Sequence, residues 1–116
     1  MIKIKLCEGL IFDMLSILLI KSKLCLNDGV KNYINFVADI KDEIGLEKLY
    51  SVMNSSEFEN LRAANQKTFN LVSLAKDDKC LASVVDAANY ERYLCKKALQ
   101  EKHFNDQLSE QKIGYV

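Results

Sequence analysis

Proline is absent from this 116-residue chain, where average usage of about 5% would place roughly six. Glycine occurs only four times, at Gly9, Gly29, Gly45 and Gly114. Proline breaks helix interiors and glycine weakens them, so a chain poor in both is suited to long uninterrupted helices. An all-β fold needs far more turn residues than these, and is excluded. An excess of either charge is also missing. Sixteen Lys and Arg face sixteen Asp and Glu; residues 1–54 hold seven of each sign and residues 55–116 nine of each. A nucleic-acid binder would carry a basic excess to meet phosphate, so no nucleic-acid partner is expected. With 49% hydrophobic residues the chain is not intrinsically disordered, and its length suits a single domain over residues 1–116.

Cysteines are present but arranged in no metal-binding pattern. Cys7, Cys25, Cys80 and Cys95 lie far apart without a C-x-x-C pair, and His103 is the only histidine. No local zinc motif can be built from them, so neither a metal nor a cofactor is expected. Reduced, buried thiols in a cytoplasmic protein account for them more simply. Lys3–Ile20 imitates a signal peptide, with two lysines ahead of an apolar run. Asp13 interrupts that run, no small-residue cleavage site follows, and the segment is too short and polar to span a bilayer. No membrane association is expected.

Met1–Cys7 alternates Ile2, Ile4 and Leu6 with Lys3 and Lys5, the period-two pattern of a strand. A lone strand needs a partner, and Lys112–Val116 is the other strand candidate. From Gly9 to Asn27 the pattern is helical and apolar around well over half the circumference, too much for a surface helix. That helix is therefore central in the fold or lies against a second copy. Val30–Ile44 is amphipathic, with Gly45 as its C-cap; a short helix follows over Leu46–Met53. Ser56 and Glu59 have capping-box spacing before a helix to about Lys76, with Phe58, Leu61, Ala64, Phe69, Val72 and Ala75 inward. The last helix runs from Leu81 to about Lys102. The expected fold is mainly α: an antiparallel bundle of three long helices plus a short one, with short terminal β-strands.

Asp13 is the polar residue most out of place, because a carboxylate inside I-F-D-M-L-S-I-L-L-I is costly to bury unless paired. A structural ion pair is the common outcome; a binding or catalytic carboxylate is the alternative. Arg62 and Arg92 are the only arginines, and arginine suits buried bidentate pairing better than lysine. Arg62, beside Glu57 and Glu59, suits an exposed face. Arg92 follows Asn89 by three positions and is the better partner for Asp13. Asn65 and Asn89 sit inside predicted helices, where an amide bonding a neighbouring helix is the simple explanation and an amide holding a polar ligand the alternative. His103, on a polar helix end, is expected to be solvated. No catalytic Ser or Cys signature and no phosphate-binding glycine loop is present, so no catalytic residue is assigned.

Three stretches, E8-G-L-I-F-D-M-L-S-I-L-L-I-K21, L61-R-A-A-N-Q-K-T-F69 and L81-A-S-V-V-D-A-A-N-Y-E-R-Y-L-C-K-K-A-L99, together with S109-E-Q-K112 and Tyr115, resemble a family of small bacterial and phage proteins termed a domain of unknown function. The sequence departs from that family's pattern at Met14 and Tyr90. The resemblance implies a helical fold and singles out Asp13, Asn65, Asn89, Arg92 and Lys112 as a set. It implies no reaction. The function expected from the sequence is a non-enzymatic interaction or oligomerisation module, homodimeric through its first helix, with an unidentified protein partner as a further option. The competing expectation is a small ligand-binding protein or enzyme built on Asp13, Asn89 and Arg92.

Overall fold

The structure is a computed structural model that describes residues 2, 4–24, 28–76 and 82–106. It is helical: α1 (Glu8–Lys23), α2 (Gly29–Ile44), α3 (Leu46–Met53), α4 (Ser56–Lys76) and α5 (Ala82–Phe104). Among the described residues there are four long helices and one short one, against the expected bundle of three and one; they match the four long segments and one short segment that the apolar spacing delimits. The apolar circumference of α1 is covered on several sides. Helices α2, α4 and α5 all pack on it. Its Phe12, Leu15 and Ile20 are buried, and so are Asp13 and Ser16.

Helix boundaries follow from local chemistry and, in one case, from a distant residue. Cys7 precedes α1 in an extended conformation with no side-chain cap; its carbonyl accepts from the amides of Leu10 and Ile11. The Gly9 amide, one of the donors a helix start leaves unpaired, is instead taken by Gln100 Oε1 of α5 at 2.6 Å. Gly29 opens α2 against α1, where a Cβ would meet the Lys21 carbonyl oxygen at 2.8 Å. Gly45 closes α2 at φ 87°, ψ 157°, donating to the Lys41 carbonyl, while its own carbonyl accepts from Leu49 in α3. That conformation is open essentially only to glycine. Ser55, not Ser56, caps α4: its hydroxyl accepts from the Phe58 amide at 3.2 Å and donates to the Val52 carbonyl. A capping box on Ser55 would need Glu or Gln at position 58, which is a core phenylalanine. Helix α5 ends where Asn105 takes φ 51°, a left-handed conformation that asparagine tolerates.

The core draws on all five helices: Phe12 and Leu15, Ile40, Leu49 and Val52, Phe58 and Leu61, and Leu99. Phe12 lies edge-on to Phe58 at 6.1 Å between ring centres and 5.9 Å from Phe104. Of the α4 residues expected to face inward, Phe58, Leu61 and Ala64 do, whereas Phe69 and Val72 are exposed. No strand occurs among the described residues. Ile2 and Ile4 precede α1 with 86% and 67% exposure, and the expected partner, Lys112–Val116, lies outside the described residues.

Candidate functional site: a closed polar cluster between three helices

Asp13 points from the second turn of α1 into the space between α4 and α5, with only 6% of its side chain exposed. Arg92 of α5 meets it as a fork, Nη2 donating to Oδ2 at 2.8 Å and Nε to Oδ1 at 3.2 Å. Asn65 of α4 donates from Nδ2 to Oδ1 at 2.8 Å and also to Ser16 Oγ. Ser16 turns its own hydroxyl proton onto the Asp13 carbonyl at 2.8 Å, leaving a lone pair for that amide. Lys96, one turn beyond Arg92, places Nζ 3.8 Å from Oδ2. A carboxylate has about four acceptor positions, and here they face four donors. Among the described residues no buried side-chain nitrogen or oxygen lacks a hydrogen-bond partner.

The cluster extends along α5. Arg92, Lys96 and Gln100 recur every four residues and so form one stripe. Arg92 and Lys96 meet Asp13, while Gln100, fully buried, accepts from Gly9 and donates to Glu8 Oε2 at 3.3 Å. The pairings of residue 13 with 92 and of residue 9 with 100 show that α1 and α5 run antiparallel. The burial that makes the Asp13 carboxylate costly also makes its pairing with Arg92 hard to break, since losing one partner leaves the other charge in a poorly solvated place.

Of the residues singled out from sequence, the fold brings Asp13, Asn65 and Arg92 together. Asn89 does not join them. It is exposed on α5 and makes no side-chain hydrogen bond among the described residues. Lys112 lies outside the described residues. Ser16, Lys96 and Gln100 belong to the cluster and were not singled out. Their sequence signal is spacing alone, three residues after Asp13 and four and eight after Arg92. Lysines and glutamines at such spacing more often line a solvated face.

His103 is not solvated. Its side chain is 11% exposed, and Nε2 lies 2.9 Å from Glu57 Oε1 in the first turn of α4. Lys48 of α3 donates to the His103 carbonyl and sits 5.0 Å above the Phe104 ring. The Glu57 carboxyl is held below the ordinary glutamate range, first by the Ser56 hydroxyl and then by His103. Arg62 forms the exposed pair expected of it: two bonds to Glu59 hold that carboxyl low and raise the guanidinium.

Open space lies elsewhere, along the seam of α1 and α2. One groove of about 450 Å³ is lined by Met14, Ile17, Leu18 and Lys21 of α1 and by Asn32, Asn35, Phe36 and Asp39 of α2. Phe36 and Asp39 also line a second groove of about 970 Å³, with Ile2, Ile4, Glu8, Ile11 and Ile40 among its walls. Neither includes Asp13, Asn65, Arg92 or Lys96. Among the described residues no helix is long and apolar enough to cross a membrane. Comparison with protein-family models, curated proteins and solved structures finds no match to this chain.

Proposed function

We propose that the protein is a non-enzymatic interaction module that self-associates through the outward side of α1. The observation that carries this reading is what remains of α1 after three helices have packed on it. Met14 is 45% exposed, and Leu10, Ile17 and Leu18 are only partly buried. These residues form one stripe continuous with the α1–α2 groove. Other apolar side chains are exposed on α2, α4 and α5, among them Ile34, Phe69, Val84 and Leu94. Met14, Ile17 and Leu18 of α1 differ in lining an open groove together, which is what a partner surface needs. Weighing against a ligand site at Asp13 is that its acceptor positions already face Arg92, Asn65 and Lys96, and that Asn89 points away. A general base or ligand-binding carboxylate needs at least one position that a substrate can reach. The cluster instead reads as a device that sets the register of α1 against α4 and α5. The resemblance to a family of small bacterial and phage helical proteins belongs to this proposal; it singles out Asp13, Asn65 and Arg92, which meet in the cluster, together with Asn89, which stands apart from it, and Lys112.

A stable two-fold contact buries at least about 1,000 Å² in total. Sedimentation equilibrium from about 1 to 100 μM tests the reading. A dimer at tens of micromolar, weakened by Met14→Lys with the helical circular dichroism retained, is the expected result. A chain that sediments as a monomer throughout refutes it.

A further inference from the structure

The groove beside α1 carries its own complementary charges, and their spacing suits one kind of occupant. Its floor is apolar, made by Met14, Ile17, Leu18 and Phe36; Lys21 stands on its α1 rim and Asp39 on its α2 rim. Both charged residues are exposed, and neither forms an ion pair among the described residues. A patch that holds both signs can pair with a copy of itself, because an isologous contact brings each residue of the pair against the other one on the second copy.

The register of the two helices gives the level at which such an axis must pass. Gly29 lies level with Lys21, whose carbonyl oxygen is 2.8 Å from where its Cβ would stand, and Ile11 shares a groove with Asp39. Helix α2 therefore runs back along α1 with Asp39 level with residue 11. A two-fold axis that passes through the contact surface outside α1, at the level midway between Met14 and Ile17, leaves Lys21 about 8 Å along the helix on one side. The level of Asp39 falls about 7 Å along on the other side. Rotation about that axis carries Lys21 to the level of Asp39 on the second copy, within about one residue of rise, and carries Asp39 to Lys21.

We infer that the occupant of this groove is a second copy of the chain. Its α1 runs obliquely back across the first, so that Lys21 on the α1 rim of each copy meets Asp39 on the α2 rim of the other, with Met14 and Ile17 packed about the two-fold axis. The inference rests on the self-association proposed above and adds the face, the register and the pairing to it. Single exposed pairs contribute little, so the hydrophobic stripe supplies the affinity and the charges select the arrangement.

Charge reversal tests it in a way that separates the two readings. Lys21→Asp gives a chain with two acidic positions, and Asp39→Lys a chain with two lysines. Each alone should self-associate at least about tenfold more weakly than wild type, because both attractive pairs become repulsive. Mixing the two variants should restore association as a one-to-one heterodimer, since every cross-copy pair is again of opposite sign. The double variant in a single chain should regain the homodimer for the same reason. Both positions are exposed, and unchanged helical circular dichroism checks that the fold is intact. A dimeric wild type whose single variants associate equally well would place the dimer on another face and overturn this inference alone. Variants that weaken but do not recover on mixing would also overturn it, because the loss would then not come from Lys21–Asp39 pairs across the two-fold. A monomeric wild type would remove the self-association reading itself.

Discussion

Replacing Arg92 by leucine removes two charge-assisted hydrogen bonds from a carboxylate that is almost entirely withdrawn from water. Bonds to charged groups are worth about 1.5–3 kcal/mol each, and breaking one side of a buried pair costs roughly 3–5 kcal/mol. Two features of the site reduce the cost. The Arg92 side chain is itself 27% exposed, and Asn65 and Lys96 remain beside Asp13 after the change. The lower end, about 3 kcal/mol, is therefore expected. For a domain of this size that lowers the melting temperature by roughly 10 °C. Urea unfolding followed by circular dichroism should show the midpoint moving with the slope unchanged. Asn89→Ala is the internal control: three positions away on the same helix but exposed, it should stay within about 0.5 kcal/mol of the parent. A loss below about 1 kcal/mol for Arg92→Leu would refute the reasoning. It would mean that water or neighbouring groups solvate Asp13 well enough without its arginine, and that the cluster does not hold α1 to α5.

Gly45→Ala should destabilise by about 1–3 kcal/mol although no atom stands near the added methyl, because the cost is one of backbone conformation at φ 87°; a melt equal to the parent would contradict this. Glu57 supplies a pH dependence of defined sign. Its carboxyl is held low in the fold by Ser56 and His103, so its contribution is present above the ordinary glutamate pKa and is lost as pH falls through the lowered value. Between pH 5 and pH 3 the wild type should lose more stability than Glu57→Gln. Parallel urea midpoints across that range would rule the contribution out.

Periodicity and composition determined the helices. The absence of proline, the turn at Gly45 and the apolar spacing of Val30–Ile44 and Leu46–Met53 locate α2 and α3 to within a residue. Those signals are local: a helix face repeats every few residues, and a glycine stop acts on its own carbonyl neighbours. Asp13 was legible for the same reason, since an acid inside an apolar run is out of place before any partner is known. Asn65 and Arg92 were legible as the residue types able to answer it. The identity of the set that meets Asp13 was decided by the tertiary structure. Asn89 and Lys96 lie three positions before and four positions after Arg92, and sequence spacing treats them almost alike. Only the packing of α5 against its neighbours buries Lys96 and leaves Asn89 in solvent. His103 shows the same limit, because its burial depends on Glu57, 46 residues away, and on the fold bringing the start of α4 beside the end of α5. The α1 circumference shows it too. Its excess of apolar residues is plain in the sequence, but which part three helices cover and which stripe stays open depends on packing directions that no single helix encodes.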